Sequence, residues 1–436
     1  MAGRGFGRVC AGLAVSAVAV VSAQTPADPL RTMAERYVRL VLAIGQHDVD
    51  YVDAYYGPPE WRAEAEKSKT ALGALDEQAA GLVAELGKAP ASVAGQDAAM
   101  WGLRRQYLTR QLAAVRARLA MLQGRAFTFD EESRALYDAV APTHTEAEFE
   151  AVLKQLSDTL PGDGSLIERY DRYKQAFVIP QARLDRVFQE AIRACRERTL
   201  QHVELPPAER FTVEYVTGKS WSGYNWYQGQ YRSLIQVNTD LPIYIDRAVD
   251  LACHEGYPGH HAYNVLLEKH LMRDRGWVEY SVYPLFSPQS LIAEGTANYG
   301  IDVAFPPADR LAFEKDVLFP LAGLDGAQAK AYYDILALVD RLSYAGNEAA
   351  RRYLNGQIDK EGAATWLEKY AMYSRPRAEQ RVRFIDQYRS YVINYNLGKD
   401  LVRAYVEKQA GRGATPAARW RAFAALLSSP RLPSGL

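Results

Sequence analysis

The sequence is short of histidine, cysteine and net charge, and each shortage excludes something. Lysine and arginine total 52 and aspartate and glutamate total 52. No basic surplus exists to answer a polyanion, so nucleic acid is excluded as a partner. No apolar run is long enough to anchor the chain stably in a bilayer. The longest, Val9 to Val21, falls short of the ~20 residues a spanning helix needs. Of three cysteines, Cys10 lies in this run and lacks a lipobox context. Cys195 and Cys253 remain, and the expectation is two buried free thiols, with a disulfide in an oxidising compartment as the alternative. No Cys-His-Asn pattern surrounds Cys253, which makes it a poor candidate for a thiol nucleophile.

The first 23 residues read as an export signal. Arg4 and Arg8 give a positive n-region, the apolar run follows, and Val21-Ser22-Ala23 supplies small residues at a cleavage site. Cleavage near Ala23 leaves a periplasmic or extracellular protein with no membrane segment. Residues 24–205 then read as a helical region and residues 206–436 as the region carrying the chemistry, within one continuous domain.

Helical periodicity dominates what is present. Met33, Tyr37, Leu40, Val41 and Ile44 mark an amphipathic helix over Arg31 to His47. Long helices are expected over Trp61 to Leu86 and Asp97 to Leu122. Capping boxes start three more at Thr128/Glu131, Thr145/Glu148 and Ser165/Glu168. The rhythm changes at Phe211 to Val216 and Leu234 to Val237, which read as a small antiparallel sheet, the only one in the chain. The Trp221 to Tyr227 stretch between them serves an extended substrate or seals the sheet against helices. A long helix is expected from Leu241 to Leu271, and further helices follow to Leu427.

Against this background the histidines stand out. Three of seven fall within residues 254–261, in Cys253-His254-Glu255-Gly256-Tyr257-Pro258-Gly259-His260-His261. His-Glu-x-x-His on a helix places two imidazoles on one face with the glutamate beside them. Here Pro258 stands where the second histidine belongs, and proline breaks the helical hydrogen bonding. A bulge or kink at Pro258-Gly259 is therefore expected, bringing His260 back towards His254. On an unbroken helix His261 would lie on the His254 face but about 10 Å along the axis, too far for a shared ion. His260 is thus favoured as a ligand, with His261 as the alternative. His47, His144 and His202 are isolated and read as structural or solvated.

The block His254-Glu255-x-x-Pro258-Gly259-His260-His261 resembles the HExxPGHH motif of a bacterial family assigned to the gluzincin-like zinc metallopeptidases, domain-of-unknown-function family 885. Glu294-Gly295-Thr296-Ala297-Asn298-Tyr299 is similar to that family's Glu-Gly-x-Ala-x-Tyr helix, and Tyr395-Asn396-Leu397-Gly398 to its late Tyr-x-x-Gly block. The blocks cover the C-terminal half. Two departures stand out. Ile301, followed by Asp302, replaces an acidic residue, and Arg389-Ser390-Tyr391 replaces Pro-Gly-Gln.

The resemblance implies a mainly α, multi-helix metallopeptidase-like fold with the sheet beside the site helix. It implies one zinc ion per chain, held by His254, His260 and Glu294. A carboxylate amid Leu291, Ile292, Ala293 and Ala297 independently needs a partner to offset burial; a salt bridge is the other way to supply one. Glu255, about 100° round the helix from His254, suits a general base rather than a ligand. Tyr395 is the candidate oxyanion donor, or a packed core tyrosine. His261 is left for substrate or for support behind the ligands. Asp250, four residues before His254, orients that imidazole or is a surface carboxylate. The expected activity is hydrolysis of short peptides, with an amidase or esterase on a non-peptide bond, or a non-catalytic peptide- or metal-binding protein, as the alternatives. The expected partner is a peptide or small amide.

Overall fold

The computed structural model describes Met1, residues 28–94 and residues 97–436; the export-signal segment lies outside the described residues. The fold is mainly α. The three capping boxes form as the sequence predicts, each with its Ser or Thr oxygen accepting from the backbone of the N3 glutamate. The expected helix over Trp61 to Leu86 is two helices, Pro59–Ser68 and Leu72–Gly87. They part at Lys69, whose φ of 44° is left-handed. One continuous core draws on both halves of the chain, from Leu30 and Tyr37 to Phe423 and Leu432. A second cluster joins Phe149 and Leu156 to Trp366 and Leu367. No described helix is long and apolar enough to cross a membrane.

Among the described residues five short strands stand between the helices: β1 (Val52–Tyr55), β2 (Arg210–Val216), β3 (Gly223–Gly229), β4 (Arg232–Asn238) and β5 (Val282–Pro284). The sheet expected beside the site is there, but its pairing differs. The stretch between the two expected strands is itself a strand, and β3 forms a tight antiparallel hairpin with β4. This hairpin reverses β4 relative to β3, so β2 lies parallel to β4 on its other side. Gln230 and Tyr231 make the turn with φ of 54° and 60°, the left-handed geometry that a two-residue hairpin requires. Buried Glu268 steadies it, accepting the backbone N–H of Gln230 at 3.1 Å and of Tyr231 at 3.2 Å. A second, two-stranded antiparallel sheet pairs β1 with β5. Sequence reading missed it because each of its strands is very short.

The expected long helix from Leu241 to Leu271 is interrupted at the predicted place. Asp246–Leu251 is α-helical, Ala252–Gly256 widens into a π turn, and helix resumes at His260–Leu267. Cys253 is joined by a disulfide to Cys195 on the helix Leu184–Leu200, with Cα atoms 5.6 Å apart. This corrects the expectation of two free thiols. Both are buried, as expected, but the π turn packs directly on that helix and brings the sulfurs together.

Candidate metal centre

The break between residues 256 and 260 builds the site. Gly259 N–H donates to Cys253 O at 2.9 Å, folding the chain back on the π turn. A Cβ on Gly259 would lie 1.9 Å from His254 O, so only glycine can make this approach. The fold-back sets the His254 and His260 rings 4.7 Å apart, edge to face. Pro258 packs against Gly300, where a Cβ would come within 3.0 Å of the proline ring. This contact seats the helix Pro288–Ala304 beside the break.

That helix delivers Glu294. Its Oε2 lies 3.3 Å from His254 Nε2 and 3.7 Å from His260 Nε2. Its Oε1 accepts the Tyr391 hydroxyl at 2.8 Å. Oε2 is buried and has no hydrogen-bond partner, which is costly for a carboxylate unless a cation answers it. Burial acts to raise the Glu294 pKa, but His254 and His260 outweigh it and hold the carboxyl well below the usual range. Burial acts to lower His260, but Glu294, with Glu255 and Asp53, raises it to about 9.

The two family-like blocks meet in space for a steric reason. Gly295 and Gly398 pack back to back, and a Cβ on Gly295 would lie 2.5 Å from Gly398 O. The helices Pro288–Ala304 and Ile393–Ala410 thus approach closely. Glu294 and Tyr395 ride on this contact. The Tyr395 ring packs on Tyr391 at 5.8 Å and Phe384 at 6.2 Å. Burial, reinforced by the Glu294 charge, pushes both tyrosine hydroxyls well above their ordinary value, so they stay protonated donors.

Glu255 lies on the same turn, buried, with Oε1 4.0 Å from His254 Nε2. His254, Glu255 and His260 offer donor atoms within 4.8 Å of one another. Glu294 nevertheless fits the third ligand position better, because a single oxygen lies nearer both imidazoles. A tetrahedral zinc site with bonds of about 2.0–2.1 Å has edges of about 3.3 Å, and the His254–Glu294 separation matches. Burial raises the Glu255 pKa, with Glu294 adding to it and the two imidazoles opposing. The edge strand β3 covers Glu255: a Cβ on Gly223 would lie 2.8 Å from Oε1, and Asn225 Nδ2 donates to Glu255 O at 2.7 Å.

Asp250 and His261 each follow only one of their expected alternatives. Asp250 does not touch His254, as the orienting reading expected; it is a carboxylate paired with Arg310 at 2.8 Å and Arg247 at 3.0 Å. His261 faces away from the ligand cluster, fully buried. Its Nε2 lies 3.0 Å from Glu209 Oε2, and its Nδ1 lies 2.8 Å from Ser233 Oγ. It therefore supports the break from behind and has no surface for substrate.

Two residues were missed in the sequence. Tyr391 sits at a departure from the family pattern, which drew attention away from it. Asp53 on β1 receives the Tyr224 hydroxyl. Burial, with the Glu294 and Glu255 charges, lifts Asp53 to about 6 against the opposing pull of Tyr224 and His260. Nothing in its local sequence marks it, since a strand far along the chain brings it to the site. A cleft of about 660 Å³ is lined by Asp53, Trp221, Tyr224, Trp226, Arg383 and Tyr388.

No family model and no curated protein matches this sequence. Among solved structures the chain is similar to "the putative lipoprotein from Colwellia psychrerythraea", at 12% identity and a TM-score of 0.47. The match covers 84% of this chain and 71% of that one.

Proposed function

We propose that this chain is an exported zinc-dependent hydrolase that cleaves peptide bonds, with His254, His260 and Glu294 as the metal ligands. The observation that carries this reading is the unpartnered, buried Glu294 Oε2 facing both imidazole Nε2 atoms. Two imidazoles and one carboxylate are the donor set of zinc hydrolases that leave a fourth position open. Zinc held there would supply a Lewis acid and lower the pKa of water. The protein residues do the rest. Glu255 takes the proton of the attacking water and hands it to the leaving amine. Its place on β3's flank, off the ligand triangle, suits a base better than a ligand. Tyr395, kept protonated, donates to the oxygen on which negative charge develops. Tyr391 holds Glu294 so that one oxygen remains for the ion. The disulfide supports the exported reading, because such bonds persist in oxidising compartments. Metal analysis of purified protein followed by digestion of a peptide library tests the proposal. About one zinc per chain and defined cleavage are expected; a zinc-free active protein would overturn it.

A further inference from the structure

A cluster of cations beside the site lacks matching anions. Arg377 and Arg381 lie four residues apart on the helix Arg375–Tyr388 and so share a face. Arg377 Nη1 reaches only Ser222 Oγ, at 3.2 Å. The Arg381 guanidinium lies 5.5 Å over the Tyr395 ring and 4.6 Å over Phe384. Its Nε is buried without a hydrogen-bond partner. Arg247 enters from the first turn of Asp246–Leu251, and its carboxylate partner, Asp250, is shared with Arg310. Among the described residues, neither Arg377 nor Arg381 has a carboxylate within salt-bridge distance. Burial, then the like charges of Arg247 and Arg381, press the Arg377 pKa down, although the Tyr373 and Tyr244 hydroxyls oppose this. Arginine cannot escape by losing its proton. Holding the Arg377 and Arg381 guanidinium groups near Arg247 without a counter-charge of their own is unfavourable, and a planar anion would relieve it with bidentate hydrogen bonds.

The position of the cluster says which anion. Ser222, which Arg377 touches, precedes Gly223, and Gly223 lies against the Glu255 carboxylate. Arg381 covers Tyr395. An anion held here lies beside the groups that would cut the bond, through Ser222 and Gly223 on one side and Tyr395 on the other. We propose that Arg247, Arg377 and Arg381 bind the free α-carboxylate of a peptide and direct cleavage to its C-terminal end. This rests on the hydrolase reading for the bond broken, but not for the carboxylate bound.

The test uses zinc-loaded full-length protein and three peptides. One ends in a free carboxylate, one is the same peptide amidated, and one is amidated with glutamate as its last residue. The free acid should exceed the plain amide in kcat/KM by about 10- to 100-fold, the usual effect of a charged hydrogen-bonding group. Arg381→Gln and Arg377→Gln should each bring the ratio close to one, chiefly through KM for the free acid. Arg381→Lys should recover part of it. Equal rates on acid and amide in the native protein would overturn the proposal while leaving the hydrolase reading intact. Equal rates on the free acid and the glutamate amide would overturn the α-carboxylate assignment. Calorimetry on Glu255→Gln with the same peptides needs no turnover. Tighter binding of the free acid, lost on adding Arg381→Gln to a protein of unchanged thermal midpoint, supports the proposal even if no peptide is cut. Equal binding of acid and amide overturns it.

Discussion

Tyr391 donates its hydroxyl hydrogen to Glu294 Oε1 at 2.8 Å, which leaves Oε2 turned to His254 and His260. One phenol thus fixes which oxygen of a buried carboxylate is open to a cation. Groups that orient ligands in this way affect metal affinity by about 10- to 100-fold. Tyr391→Phe should therefore weaken zinc binding by about that factor while keeping the fold, since the ring still packs against Tyr137 and Phe384. Competition against a chromophoric chelator measures the change. Unchanged affinity would show that Glu294 needs no such support.

The two neighbouring histidines should separate cleanly. His260→Ala removes a donor 3.7 Å from Glu294 Oε2 and should abolish stoichiometric zinc binding. His261→Ala should retain the zinc and instead lose stability. It breaks buried contacts to Glu209 and Ser233, for which a cost of about 1–3 kcal/mol is usual. Zinc content and denaturant midpoints on both variants decide the matter. Zinc loss in His261→Ala with retention in His260→Ala would reverse the ligand assignment.

Glu209 gives the protein an acid limit. Burial acts to raise its pKa, but hydrogen bonds from His261, Tyr257 and Arg196 outweigh it and lower it to about 2. An unfolded glutamate titrates near about 4.3. A depressed folded value means that the unfolded chain binds more protons below that point, so stability falls as pH falls. The contribution is complete above about 4.3 and is lost as the pH drops towards 2. Burial also lowers the His261 pKa, which adds a loss of the same sign on acidification below neutrality. Thermal midpoints measured from pH 6 to pH 2 should show this slope, flattened at its acid end in Glu209→Gln. An identical slope in that variant would remove Glu209 as its source.

Reduction should loosen the site from beneath. The Cys195–Cys253 bond closes a loop of sequence separation 58 and anchors the residue next to His254. A loop of that size contributes about 2–5 kcal/mol. The Cys195→Ala/Cys253→Ala double variant should lose stability of that order, and a thermal midpoint equal to that of the native protein would contradict the anchoring role.

The sequence made the site more legible than the sheets around it. His254, Glu255 and His260 could be read together because Pro258 and Gly259 impose a break that is local in origin. Glu294 needed a partner because its own neighbours are apolar. Helix starts at Thr128, Thr145 and Ser165 were equally local, since each capping box is complete within four residues. What was hidden depends on distant pairing. The parallel placement of β2 follows from β3 taking the other edge of β4, and β1 finds β5 more than two hundred residues later. Asp53 arrives on that second sheet, and Tyr391 is positioned by a helix crossing at Gly295 and Gly398. Asp250 was misread for the same reason: the helical spacing placed it near His254, but Arg310, from a remote helix, claims it.

Glu255 separates a catalyst from a binding protein. It is buried on the π turn, yet its nearest oxygen stands 4.0 Å from His254 Nε2, while a Glu294 oxygen stands at 3.3 Å. Replacing Glu255 with glutamine preserves its shape and removes only the ability to accept a proton. Zinc content should therefore stay near one per chain. The thermal midpoint should hold or rise slightly, because burial disfavours the Glu255 carboxylate in the folded protein and glutamine carries no charge. Substrate affinity should survive, since β3 and the arginine cluster are untouched. Turnover alone should fall, by about 10²- to 10⁴-fold for a lost general base. Zinc content, melting and peptide hydrolysis measured side by side on the native protein and Glu255→Gln give the answer. Equal hydrolysis rates would rule out Glu255 as the base. Loss of zinc along with turnover would instead make Glu255 a ligand, and would return Glu294 to the role of a buried ion-pair partner for the two histidines.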